Sequence, residues 1–296
     1  MKEFLKNAMQ GFSMALADSV PGVSGGTVAF VLGFYDKFIN SLNTLISRKG
    51  DKKEAIKFLV KLGIGWVIGM AIASLILSNL FETHIYQVSS LFIGFIIFAI
   101  PLIIKEEKEN VKGKYKNLIF TIIGIIIVSA ITYFNPQTGS GANIDITSPN
   151  IGLLIYIFIA GMIAISAMIL PGISGSTLLL IFGLYMPFIT GIKETLHFNL
   201  SYIPVLFVFG LGIIAGIALI IKAVKKALEK YRPQTIYLII GLMIGSIYAI
   251  IMGATTLKVP QAPLSFSTFS IVYFIIGGLV ILGMEVAKRK LANKEK

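Results

Sequence analysis

Residues 18 to 27 read Asp18-Ser-Val-Pro-Gly-Val-Ser-Gly-Gly-Thr27, and residues 168 to 177 read Met168-Ile-Leu-Pro-Gly-Ile-Ser-Gly-Ser-Thr177. The correspondence runs past the glycines. Pro21, Gly22, Ser24, Gly25, Thr27, Gly33, Tyr35 and Phe38 match Pro171, Gly172, Ser174, Gly175, Thr177, Gly183, Tyr185 and Phe188. Each copy lies between apolar arms. Two such copies predict a duplicated membrane protein whose halves bring matching broken helices to one site.

Composition agrees with a membrane protein. The chain is 56% hydrophobic and only 14% charged, more apolar surface than a soluble domain of this length can hide. Several stretches of 18–20 residues are long and apolar enough to span a bilayer as helix. The early apolar stretch is interrupted by Asp18 and Pro21, so no cleavable signal peptide is expected. The chain has no cysteine, which excludes disulfides and thiolate metal sites.

Outward from the motifs, the chain divides into two halves of the same plan. Residues 1–148 hold a hairpin at 10–46 and spans near 62–80, 86–104 and 117–134. Residues 149–296 hold a hairpin at 151–190 and spans near 203–221, 235–254 and 269–287. A short loop carrying Glu82 and His84 is expected between the first two spans. Gly63, Gly65, Gly69 and Ala71 align with Gly210, Gly212, Gly216 and Ala218. Gly94 falls opposite Gly241, and Gly124 opposite Gly277. Such small residues serve close helix packing in lipid.

Charge sets the topology. All 26 lysines and arginines except Lys37, Lys193 and Lys258 fall in the N-terminus, 47–61, 105–116, 222–234 or the tail. Positive loops mark the cytoplasmic side, so both termini are expected there. Residues 10–46 then make no net crossing, and neither do 151–190. Three crossings per half is odd, so the halves are inverted. A pair of full spans fits the same charges, and 151–170 is long enough to span. Broken helices facing across an inverted repeat favour re-entrant hairpins. The fold class expected is an all-α integral membrane protein of two inverted repeats, each a re-entrant helical hairpin plus three transmembrane helices.

The motif chemistry points to an anion. Pro21 and Pro171 stop the incoming arm. Gly22 and Gly172 permit the turn. Ser24 and Ser174 are N-cap candidates for the outgoing arm, with Gly25, Gly26, Thr27 and Gly175, Ser176, Thr177 in its first turn. Free amides at such a helix end, beside hydroxyl donors, suit a phosphate or carboxylate. Asp18 stands where the second copy has Met168. It has two readings, a membrane carboxyl coupled to transport through a proton and a cap for nearby amides.

Other chemistries lack their parts. Gly22-Val-Ser-Gly-Gly26 matches a nucleophile-elbow pattern, but no strand precedes it and both histidines, His84 and His197, are expected on outside loops. No lysine follows the glycines as in a phosphate loop. No enzyme activity, cofactor, metal or nucleic-acid partner is expected. On the residues alone the function class is membrane transport of an anion such as a phosphate or carboxylate, by a carrier or by a channel or secondary transporter for a small soluble anion.

The run Ala-Asp18-Ser-Val-Pro-Gly-Val-Ser-Gly-Gly-Thr, with the later Leu-Pro-Gly-Ile-Ser-Gly-Ser-Thr, resembles the polyprenyl-phosphate transporters, a family long catalogued as a membrane domain of unknown function. The resemblance extends over nearly the whole chain. It implies flipping of undecaprenyl phosphate or a related lipid across the cytoplasmic membrane, which recycles the carrier of envelope polymers. It implies that Pro21 to Thr27 and Pro171 to Thr177 form the lipid-phosphate site. The coupling ion, proton or sodium, does not follow from the resemblance.

Overall fold

The computed structural model describes residues 2–18, 24–47, 50–133, 146–147, 149–172, 198–256 and 260–294. It also describes Gly175, Leu178, Leu179, Phe182, Leu184, Pro187, Phe188, Gly191, Glu194 and Thr195. Side chains of 2, 74–82, 284 and 287–294 lie outside the described set. Among the described residues the regular structure is all helical.

Among the described residues the α-helices in chain order are α1 (Lys2–Asp18), α2 (Gly25–Val31), α3 (Tyr35–Ile46), α4 (Lys52–Glu106), α5 (Lys108–Val111), α6 (Leu118–Tyr133), α7 (Ile151–Ile169), α8 (Ile203–Lys230), α9 (Arg232–Met252) and α10 (Ile271–Lys294). Their starts follow local chemistry. Asp51 caps α4 by accepting from the Lys53 and Glu54 amides at 2.9 and 3.1 Å. Asn150 caps α7 through the Leu153 amide at 2.8 Å. Pro204 and Pro233 sit in the first turns of α8 and α9, where a missing N–H costs nothing.

Among the described residues six helical stretches are long and apolar enough to cross a membrane: Lys52–Ala73, Thr83–Glu106, Tyr115–Tyr133, Ile151–Ile169, Leu200–Lys230 and Arg232–Thr255. Five overlap the spans expected near 62–80, 86–104, 117–134, 203–221 and 235–254, the first beginning ten residues earlier than expected. Ile151–Ile169 was expected as a hairpin arm, and its length also fits a full span. In α10 the described apolar part is Ile271–Gly283. The loop expected around Glu82 and His84 is instead a break within α4, with non-helical dihedrals at His84. A straight helix of 55 residues would extend roughly 80 Å, against a hydrocarbon core of about 30 Å. His84 therefore divides α4 into two arms.

The glycines in register make the same contacts twice. A Cβ on Gly65 or Gly69 would fall closer than 3.0 Å to the carbonyl oxygens of Ala8 and Phe12 on α1. A Cβ on Gly212 or Gly216 would meet the carbonyls of Phe158 and Met162 on α7 in the same way. Thus α1 runs beside the first arm of α4 in the same direction, and α7 runs likewise beside α8. The second set is crossed. Gly94 abuts Phe274 and Gly277 abuts Leu91, while Gly241 abuts Thr121 and Gly124 abuts Leu238. So α10 packs on the second arm of α4, and α6 packs on α9. Each half lends its last helix to the other.

Between these layers α3 returns along the start of α4: Lys37 lies over the Phe58 ring at 4.7 Å, and Thr44 touches Gly50. The main core draws on both halves, with Phe30, Ile39 and Ile96 packed among Ile169, Ile221, Ile236 and Met243.

Candidate functional site

The two motif copies meet. Ser24 is the N-cap of α2, with extended dihedrals (φ −128°, ψ 139°), and its Oγ accepts from the Gly26 amide at 3.1 Å. The same Oγ donates towards the carbonyls of Met168 (3.1 Å) and Leu170 (3.2 Å) at the end of α7. Thr27 Oγ1 accepts from the Gly172 amide at 2.8 Å. The Tyr35 hydroxyl donates to the Ile169 carbonyl at 3.1 Å. Three side chains from the first half thus take up backbone groups that the second break leaves without helical partners.

The tips are closely packed as well as bonded. Ser24 and Thr27 are buried, and Pro171 is among the fully buried side chains. Gly172 has φ +87°, and a Cβ there would stand 2.5 Å from the Leu242 carbonyl carbon. No L side chain fits that turn without strain. A Cβ on Gly26 would stand 2.7 Å from the Ile169 carbonyl oxygen.

Asp18 ends α1 and faces α2. Its Oδ1 accepts from the Gly25 amide at 2.7 Å, and its Oδ2 accepts from Trp66 Nε1 at 2.9 Å. The second copy repeats the shape without the charge: Met168 packs against Gly175 as Asp18 packs against Gly25.

These contacts correct one expectation. The first amides of α2 are not free. Gly25 is held by Asp18, Gly26 by the Ser24 hydroxyl, and Thr27 by the Ser24 carbonyl at 2.9 Å. The capping reading of Asp18 is realised, and a carboxylate stands where an external anion was expected. Of the other expected site residues, Ser24, Gly25, Gly26 and Thr27 come together with Pro171 and Gly172. Gly175 lies beside Met168. Pro21, Gly22, Ser174, Ser176 and Thr177 lie outside the described residues.

Sequence reasoning missed Trp66 and the hydroxyl of Tyr35. Trp66 is the single tryptophan of the chain and sits inside an apolar span. An indole N–H in such a place needs an acceptor, which was a usable signal. Tyr35 served only to align the repeats. Its bond to Ile169 spans 134 residues of sequence and leaves no local trace.

Comparison with known proteins places this arrangement. The family model described as undecaprenyl phosphate translocase-like matches residues 14–267. A polyprenyl-phosphate transporter of Staphylococcus aureus is 36% identical over 277 residues, 93% of this chain and 94% of the relative. A polyprenyl-phosphate transporter of Vibrio cholerae is 31% identical over 255 residues, 82% of this chain and 76% of the relative. No solved structure matches. The matched range takes in both motifs and every helix from the end of α1 to α9, and the chain belongs to the undecaprenyl phosphate translocase-like family.

Proposed function

We propose that this protein is a membrane transporter that carries a polyprenyl phosphate, undecaprenyl phosphate or a close relative, between leaflets of the cytoplasmic membrane, returning the lipid carrier for envelope biogenesis. The observation that carries the proposal is the direct contact of the two breaks, from Ser24 to Met168 and Leu170 and from Gly172 to Thr27. Irregular backbone at membrane depth is tolerated where it is buried in protein or lines a cavity, and paired breaks are where such carriers hold their substrates. The phosphate would sit at the tips while the prenyl tail stays in lipid.

The proposal includes inverted halves. Support comes from the second arm of α4 and α9, which the glycine register makes equivalent. They run antiparallel: Ser89 bonds to Ile250 at one end, and Glu107 bonds to Arg232 at the other. An axis along the membrane normal would leave equivalent helices parallel. Support for a re-entrant first hairpin comes from α1 and α3. The first runs in beside α4, and the second runs back to its start. The second hairpin and the cytoplasmic placing of both termini follow from the repeat and from the basic loops.

Asp18 gives the proposed site a switch. An incoming phosphate would replace its carboxylate at the Gly25 amide. A proton on Asp18 would weaken its hold on Gly25 and Trp66 and free both donors. This makes the proton the coupling ion of the reading.

Trp66 supplies the test. Its indole bonds to Asp18, so the emission of this single tryptophan reports on the site. Polyprenyl phosphate titrated into detergent-solubilised protein should shift that emission. Neutral polyprenol should not, and inorganic phosphate should act only at far higher concentration. Equal responses to the phosphate and the alcohol would remove the headgroup from the site.

A further inference from the structure

The central contact leaves unused an ion cluster at the basic end of the molecule. Arg232 opens α9. Its Nη2 and Nε donate to Glu107 Oε1 (2.5 Å) and Oε2 (3.0 Å), and its Nη1 donates to Asp36 Oδ2 at 3.1 Å. Asn110 Nδ2 also donates to Glu107 Oε2 at 2.8 Å. Glu107 follows the last turn of α4, and Asp36 lies in the first turn of α3. One guanidinium therefore ties the first hairpin to two long helices.

Under the cluster lies a cavity of about 150 Å³, walled by Phe30, Gly33, Tyr35, Ile103 and Glu106 together with the three ionic groups. Tyr35 links this cavity to the centre, because its hydroxyl reaches the Ile169 carbonyl at the second break. The cavity thus lies between the basic end and the paired tips.

The two ion pairs of Arg232 are unequal. The fork to Glu107 is bidentate, and the Glu107 side chain is only 13% exposed. The link to Asp36 is a single bond to a side chain 47% exposed. Bidentate Arg–carboxylate pairs are the stronger kind, and half-exposed single pairs are weak. The separable joint is between α3 and α9.

Among the described residues the opposite end shows no such joint. The register that pairs Gly94 with Gly241 places Ile85 opposite Arg232 and Ala254 opposite Glu107. Both are buried hydrophobic residues.

We propose that Asp36, Arg232 and Glu107 form a one-sided gate over the passage from the basic end to the paired breaks. Arg232 and Glu107 stay together as its fixed post, and α3 swings away when Asp36 is released. Release turns Nη1 of Arg232 into a free donor at the cavity, suited to a phosphate monoester leaving the central site. The cargo rests on the transporter reading; the gate does not.

The chain has no native cysteine, so Ile103→Cys places a single thiol on the cavity wall, at a position 2% exposed. In nanodiscs, a charged thiol reagent should label it slowly in the parent. Labelling should be about tenfold faster with Asp36→Ala or Arg232→Gln added, the population change expected on losing a charge-assisted hydrogen bond. Rates within twofold of the parent in well-folded Asp36→Ala protein would overturn the gate. A second arm uses Asp36→Cys with Arg232→Cys, joined by a short bis-thiosulfonate linker in liposomes carrying labelled undecaprenyl phosphate. Cross-linking should stop exchange between leaflets, and reductant should restore it. Exchange that continues in cross-linked protein would also overturn the gate. If the parent itself exchanges no lipid, the transporter reading fails, and the labelling rates still decide the gate.

Discussion

At the scale of single residues, Asp18 and Gly25 carry the sharpest consequences. Asparagine at 18 keeps an oxygen for the Gly25 amide but turns an N–H donor towards Trp66 Nε1, whereas alanine loses both bonds. Asp18→Ala should cost about 1–3 kcal/mol of stability, and Asp18→Asn less, by thermal unfolding in detergent. If Asp18 carries the coupled proton, Asp18→Asn should bind lipid phosphate yet lose proton-driven exchange. Near-normal, still proton-dependent exchange in that variant would end the proton role. Ser24→Ala should cost about 1 kcal/mol, as lost N-caps do, and leave partial exchange. Gly25→Leu should abolish exchange in inserted protein, since a bare Cβ there already stands 2.7 Å from Asp18 Oδ2. Full exchange by Gly25→Leu would mean that the tip does not need its close approach. Glu107 adds a pH dependence. Burial pushes its carboxyl up, but hydrogen bonds from Arg232 and Asn110 and the Arg232 charge outweigh burial and hold it below its usual 4.5. A lowered native value means that its contribution is complete above pH 4.5 and is lost as pH falls through the native value. The stability gap between parent and Glu107→Gln should therefore narrow on acidification. A gap that widens would contradict the pairing.

At the scale of elements, the glycines separate into two kinds that spacing alone could not distinguish. Gly65 and Gly212 face carbonyl oxygens of the neighbouring helix, whereas Gly63 and Gly210 have open space at the Cβ position. Small-residue packing, expected for all the aligned glycines, holds at Gly65, Gly212 and the other helix contacts and fails at Gly63 and Gly210. Gly63→Ala and Gly210→Ala should be neutral or stabilising by up to about 1 kcal/mol through helix propensity. Gly65→Ala and Gly212→Ala should both destabilise, by about 1–3 kcal/mol as overpacked positions do. Thermal unfolding of the four variants checks this, and a tolerated Gly65→Ala would refute the close crossing of α1 and α4. The crossing register was legible because the spacing survives in both halves. The exchange of last helices was not, because Gly94–Phe274 and Gly241–Thr121 are tertiary choices that either half could have made within itself. The break at His84 was legible as an interruption, but its helical character was not, since Glu82 and His84 read equally as a loop.

At the scale of the whole molecule, the membrane class and the meeting of the two motifs were legible, because both rest on composition and repetition. What the meeting is made of was not. Ser24 finds Leu170 across 146 residues, Trp66 finds Asp18 across 48, and Arg232 finds Asp36 across 196. No periodicity records such partners. The topology read from charge can be checked with single thiols. Lys52→Cys and Lys112→Cys should resist an impermeant external reagent, while Ala142→Cys and His197→Cys should react. External labelling at 52 would make residues 10–46 cross the membrane and undo the inverted arrangement. The most direct measurement is leaflet exchange itself, in liposomes reconstituted with the protein and labelled undecaprenyl phosphate, beside a neutral prenol and soluble phosphate. Protein-dependent exchange of the phosphate-headed lipid is expected, lost in Gly25→Leu, with neither control moved. Soluble phosphate crossing while the lipid stays in its leaflet, or prenol exchanging as fast as its phosphate, would contradict it.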